Sequence, residues 1–165
     1  MHNQESAFII VSDFSNFFDN LDHKNVYGIV QGSAISSVMS NIYMIKFDKI
    51  INDFITSNNG IYRRYSDDII IIIPDITKSK EVYTKIMDMT AHIPRLIISD
   101  DKAKCFIKKN KKIAQIDLDK NEIIKDNAII NYLGFSYDGN IVKIKEKTVS
   151  KYYRKMYSCQ LVLYN

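Results

Sequence analysis

Three carboxylates stand where carboxylates are costly. Asp13 follows the apolar run Phe8-Ile9-Ile10-Val11, and Asp67 and Asp68 sit between the β-rich segment Ile61–Tyr65 and the isoleucine run Ile69–Ile73. A carboxylate at the end of a buried strand needs water, a donor or a cation. If the two strands are neighbours, Asp13 and Asp67 can converge on one point, where a divalent ion would relieve their repulsion. Ligands that are all oxygen favour Mg²⁺ or Mn²⁺. Two such ions can hold an attacking 3′-oxygen and a leaving phosphate oxygen in line. Successive residues of a strand face opposite ways, so Asp68 joins the site only where the turn twists it there. A plainer use stays open, because Asp is a favoured turn residue. Asp19 and Asp22 read as local turn and cap residues.

The chain that must position these groups has 165 residues, is 46% hydrophobic and 25% charged, and so has one domain's worth of core. That excludes disorder as its main state. Five Gly and two Pro exclude a collagen-like or linker chain. Cys105 and Cys159 lie far apart with no C-x-x-C, against a disulfide scaffold or zinc ribbon and for a reducing compartment. The reducing compartment makes the cytoplasm the expected location, and heavy use of Ile, Lys, Asn and Tyr points to an AT-rich bacterial genome as the origin. A net charge of +4 permits a polyanionic partner without requiring one. No apolar run approaches the roughly 20 residues of a membrane helix, and the opening residues do not pattern as a signal peptide. His2, His23 and His92 are isolated and receive no role.

Phe8–Val11 reads as a buried strand and 14–23 as a turn with a short helix. A loop from Gly28 to Gly32 leads to Ser33, a helix N-cap. The helix behind it runs to about Ile55, with Ile35, Val38, Met39, Ile42 and Ile45 as its expected buried face. Ser57-Asn58-Asn59-Gly60 stops it. Residues 61–73 read as a hairpin, and Lys78–Ala91 as an amphipathic helix around Val82, Ile86 and Met89. Further strands are expected at Leu96–Ile98, Ile113–Leu118, Ile129–Phe135 and Ile141–Ile144, with a tail helix from Thr148. The order predicts an α+β fold with helices on one face of an antiparallel sheet.

Several segments, in order, resemble the bacterial reverse transcriptases of group II intron, retron and abortive-infection type. FIIVSDFSNFFDNLDH (8–23) is similar to the family's first palm motif, and GIVQGSAISSVMSNIY (28–43) to its second. YSDD (65–68) resembles the catalytic hairpin, LIISDDKAKCFI (96–107) the fourth motif, and YLGF (132–135) the loop that supports the primer end. Lys151–Met156 is most similar to the defence branch.

The resemblance implies a polymerase palm with a ferredoxin-like or RRM-like core over residues 1–145. Residues 146–165 would be a C-terminal helix that starts a thumb or connection region. It implies an RNA-directed DNA polymerase that joins a dNTP to a primer 3′-hydroxyl on an RNA template. The setting would be antiphage defence or a retroelement, with no membrane but with domains fused to or associated with the palm. Asp13, Asp67 and Asp68 would hold two Mg²⁺ or Mn²⁺ ions. Lys102, or Lys104, would act as general acid toward pyrophosphate. Phe18 would sit beneath the incoming sugar, with Gln31 and Gly32 at the nucleotide. Arg63, Arg64, Tyr65, Leu133 and Gly134 would contact nucleic acid, while the Lys108–Lys112 run reads equally as a solvated hairpin end.

Almost nothing precedes Phe8, and only His23–Tyr27 separates the first two motifs, where the family carries its fingers. The chain thus resembles a bare palm. The alternatives are a nucleic-acid-binding palm without efficient polymerisation, and a template-independent terminal DNA polymerase. A nucleotidyl cyclase would resemble a GGDEF hairpin, which is absent here.

Overall fold

The computed structural model describes residues 6–15, 17–20, 22–23, 26–27, 34–93, 96–98 and 103–163. The strands near the start of the chain are β1 (Ser6–Asp13) and the two-residue β2 (Asp22–His23) and β3 (Val26–Tyr27). The hairpin is β4 (Ile61–Tyr65) and β5 (Asp68–Ile73). Then come β6 (Lys104–Lys109), β7 (Lys112–Asp117) and β8 (Glu122–Lys125), followed by β9 (Ile130–Tyr132), β10 (Phe135–Tyr137) and β11 (Val142–Ile144). The helices are α1 (Phe17–Asn20), α2 (Ala34–Ser57), α3 (Ser79–Ala91) and α4 (Glu146–Leu163).

A six-stranded antiparallel sheet in the order β4-β5-β1-β6-β7-β8 is the frame. The isoleucine run is a strand because β-branched side chains suit a pleated surface covered on both faces. Ile69, Ile71 and Ile73 point into one core with Phe8, Ile10 and Phe14. From the helices Met44, Phe47, Ile51, Ile55, Val82 and Ile86 pack into it. Ile70 and Ile72 point the other way, toward a second core that includes Ala7, Ile9, Phe106, Ile113, Ala128 and Ile130. The small sheet β11-β10-β9 therefore lies against part of the face that the helices leave free. Gly139 marks how closely the β10–β11 turn approaches the β6–β7 turn. It has φ +99°, and a Cβ there would sit 2.3 Å from the Lys111 carbonyl oxygen.

The buried face of α2 differs from the expected one. Ile35 is 71% exposed, and Val38, Met39, Ile42 and Ile45 are exposed as well. The buried stripe is Ser36, Ser40, Met44, Phe47, Ile51 and Ile55. Both sets have helical spacing, and two small serines let the N-terminal half of the helix bury without bulk.

Leu96–Ile98 is not a strand beyond one bridge from Ile98 to Phe14. The strand beside β1 is instead β6, whose Lys-rich ends mask a centre of buried Cys105 and Phe106. The expected strand at 129–135 is split by a turn into β9 and β10. The Lys108–Lys112 run is a hairpin end, with Lys109 opposite Lys112 and Asn110 at φ 54°. Among the described residues no helix is long and apolar enough to cross a membrane.

Candidate active site

The site is built by register. β5 lies between β4 and β1, and Asp68 is opposite Tyr65 on one side and Asp13 on the other. Residues directly opposite share a face, so Tyr65, Asp68 and Asp13 form one row across three strands. It is the helix-free face, since Asp13 has the parity of Ile9 and Asp68 that of Ile70. Asp68 closes a two-residue hairpin with Tyr65, so its backbone groups point toward β4. The Phe14 amide donates to the Asp67 carbonyl oxygen at 3.1 Å, which makes that pair the hydrogen-bonded one. Asp13 and Asp68 are then a non-hydrogen-bonded pair, the kind whose Cα atoms stand about 4.5 Å apart with the side chains closest. Both are half-buried, and Asp13 Oδ1 is shielded from solvent.

Asp67 is in the turn itself. Of the two turn residues only Ser66 has positive φ, 55°, the pattern of a II′ hairpin. It is thus Asp68, the residue whose facing depended on the twist, that stands against Asp13. Asp67 occupies the next rung, opposite Phe14.

The period of two separates the neighbouring arginines. Arg63 is exposed on the carboxylate face, two residues from the row, beside Ile70. Arg64 points to the helix face, where its guanidinium makes four hydrogen bonds. Nε and Nη2 fork onto Asp48 Oδ1 and Oδ2 at 2.8 and 2.7 Å. Nη1 donates to the Ser66 carbonyl oxygen at 2.7 Å, and Nη2 to Asn41 Oδ1 at 3.2 Å. The Tyr62 hydroxyl donates to Asp48 at 2.7 Å, and burial together with that bond pushes its pKa up. Asp48, which the sequence did not mark, anchors the hairpin to α2.

Leu133 and Gly134 form the two-residue turn between β9 and β10, with φ 46° and 81°, the I′ pattern. The Lys145 amide donates to the Gly134 carbonyl oxygen at 2.8 Å, tying this turn to the start of α4. Tyr132, just before the turn, is near enough to the site for Asp68 to act on it. Burial and the Asp68 charge both raise its pKa. Three phenylalanines follow Asp13. Phe14 and Phe17 stack at 5.6 Å inside the core, whereas Phe18 keeps part of its surface exposed. Lys102, Gln31 and Gly32 lie outside the described residues. Burial pushes the Cys105 thiol up to about 12, which leaves it inert.

Among the described residues no three carboxylate, imidazole or thiol groups gather closely enough to cage a metal. A facing carboxylate pair still fits Mg²⁺, which usually takes one or two protein carboxylates and completes its shell with water and substrate phosphates.

An antiparallel sheet backed by helices, with facing acids beside a tight hairpin, is an α+β architecture compatible with a polymerase palm. The family model for reverse transcriptase (RNA-dependent DNA polymerase) matches residues 23–137. The chain belongs to that family. No curated protein matches the chain. The matched segment begins after Asp13, so the place of Asp13 rests on its register with Asp68.

Proposed function

We propose that the chain is the palm of an RNA-directed DNA polymerase of bacterial type, from a defence system or a retroelement. The observation that carries this is the Asp13–Asp68 rung beside the YSDD turn, in a chain whose family polymerises DNA on RNA. In this reading a primer 3′-hydroxyl attacks the α-phosphate of a dNTP and pyrophosphate leaves. Asp13 and Asp68, with Asp67 beside them, hold Mg²⁺ or Mn²⁺, which when bound neutralises charge on the phosphate oxygens. Tyr65 and Arg63 lie on the same face as Asp68, and the Leu133–Gly134 turn directly follows Tyr132, whose phenol feels the Asp68 charge; in this reading these residues support the template-primer duplex. The partly exposed ring of Phe18 is the one of the three phenylalanines free to meet the sugar.

The test is primer extension on an RNA template with an annealed DNA primer, dNTPs and Mg²⁺ or Mn²⁺. Extension with dNTPs that disappears in Asp67→Asn is the expected result. Salt-dependent RNA binding without any extension would replace this reading with that of a binding palm. In the extending protein, Phe18→Ala is expected to raise ribonucleotide incorporation about tenfold or more, on the order of 1.4 kcal/mol of lost discrimination. An unchanged ratio of ribo- to deoxynucleotide incorporation would remove Phe18 from the sugar site.

A further inference from the structure

Two residues along β1 from the carboxylate pair, the helix-free face opens into a cleft of about 720 Å³ between the large sheet and the small one. Val11 and Lys104, opposite each other in β1 and β6, form its near wall. Phe106, Ala128 and Ile129 give it an apolar floor. Around it stand five exposed lysines: Lys104, Lys125, Lys143, Lys145 and Lys147. Its acids are Asp138 and Glu146. Asp138 Oδ1 already accepts the amides of Ile141 and Asn140 at 2.8 and 2.9 Å, which hold the pKa of Asp138 down and use one of its two oxygens locally. The local balance is +3, in a chain whose entire net charge is +4. A concave wall lined with one sign of charge focuses the field on its interior.

The placement of the lysines follows from the fold. The Lys145 amide is fixed to Gly134, and α4 starts beside it with Glu146 and Lys147. Gly139 closes the two sheets onto each other, which keeps Lys143 on β11 near the Lys104 strand. Lysines act as point charges toward phosphate, and the cleft lies within the volume range of small-ligand sites, roughly 300–1,000 Å³.

We propose that this cleft is a polyphosphate site, which takes a ligand with several contiguous phosphates. The source of that chemistry is either the sugar–phosphate backbone of a single strand or the phosphate tail of a free nucleotide. Apart from Lys104, the alternative to Lys102 as general acid, the site lies outside the nucleotide and nucleic-acid contacts described above, and it does not depend on the polymerase reading.

The experiment measures binding without divalent metal, so that no phosphate is held through a metal at the carboxylate row. The probes are a labelled single-stranded RNA, followed by anisotropy, and inorganic tripolyphosphate, followed by calorimetry. Lys125→Glu/Lys143→Glu is compared with Lys80→Glu/Lys85→Glu, which removes the same charge from exposed positions on α3. The cleft variant is expected to bind at least one probe about tenfold or more weakly and to show a shallower salt dependence. The α3 variant should stay within about twofold of wild type. Loss with RNA alone identifies the backbone as the ligand, loss with tripolyphosphate alone a free polyphosphate, and loss with both the shared chemistry. Lys125→Gln/Lys143→Gln provides an intermediate case that adds no repulsion. Equal losses in the two Glu variants would reduce the effect to net charge and overturn the site, as would no loss in the cleft variant. Either failure would leave primer extension as it stands.

Discussion

Asp68→Asn is expected to lose activity and gain stability together. Primer extension should fall by two to four orders of magnitude, roughly 3–5 kcal/mol of transition-state stabilisation. In metal-free buffer the variant should unfold about 0.2–1 kcal/mol later than wild type, because like charges directly opposite each other in a sheet oppose the fold. Asp13 and Asp68 occupy that relation, in the rung where antiparallel side chains come closest. Mg²⁺ should stabilise wild type by mass action and the variant much less. The three readouts separate a metal-holding pair from a structural one. A carboxylate that only caps the turn would cost stability when neutralised and would give no Mg²⁺-dependent shift. A less stable variant with an unchanged response to Mg²⁺ would therefore remove Asp68 from the site, whatever the extension assay showed. Asp67→Asn provides the contrast. Its residue sits at the turn opposite Phe14 rather than against Asp13, so its neutralisation should leave metal-free stability nearly unchanged.

Much of this geometry is legible in the sequence, because strands carry short-range patterns. The runs Phe8–Val11 and Ile69–Ile73 mark two central strands, and their neighbouring places in the sheet bring Asp13 to the hairpin. What stays hidden is whatever the partner decides. The exposed apolar residues of α2 have the same spacing as the buried ones, and only the docked sheet selects the serine-containing stripe. Strand β6 is hidden by the lysines at its ends. The cleft lysines are spread from Lys104 to Lys147, and no linear pattern joins them until β9–β11 folds back over the sheet. Which aspartate faces Asp13 depends on turn geometry. A two-residue turn fixes Tyr65 opposite Asp68, and a longer one would have shifted the row.

The same period of two makes adjacent arginines do different work, and replacing them one at a time should show it. Arg64→Lys keeps the charge but loses the fork onto Asp48 and the bond to Ser66. The Arg64 side chain is 6% exposed and that of Asp48 31%. The lost bonds leave polar groups short of partners where water reaches them poorly. The expected cost is about 2–3 kcal/mol, or roughly 5–10 °C in a chain of this length. Arg63→Ala removes an exposed side chain whose Nη1, among the described residues, donates to the neighbouring Tyr62 carbonyl oxygen. Its stability should stay within about 0.5 kcal/mol of wild type, while RNA binding weakens and its salt slope falls. Arg64 acts on the site through the turn that carries Asp67, so in an extending protein its substitution should lower kcat more than it raises KM. Tyr62→Phe should cost less, since Asp48 keeps the guanidinium when the phenol is gone. If Arg64→Lys melted like wild type and bound RNA more weakly, the guanidinium would be a phosphate contact, and the anchor between α2 and the catalytic hairpin would have to be sought elsewhere.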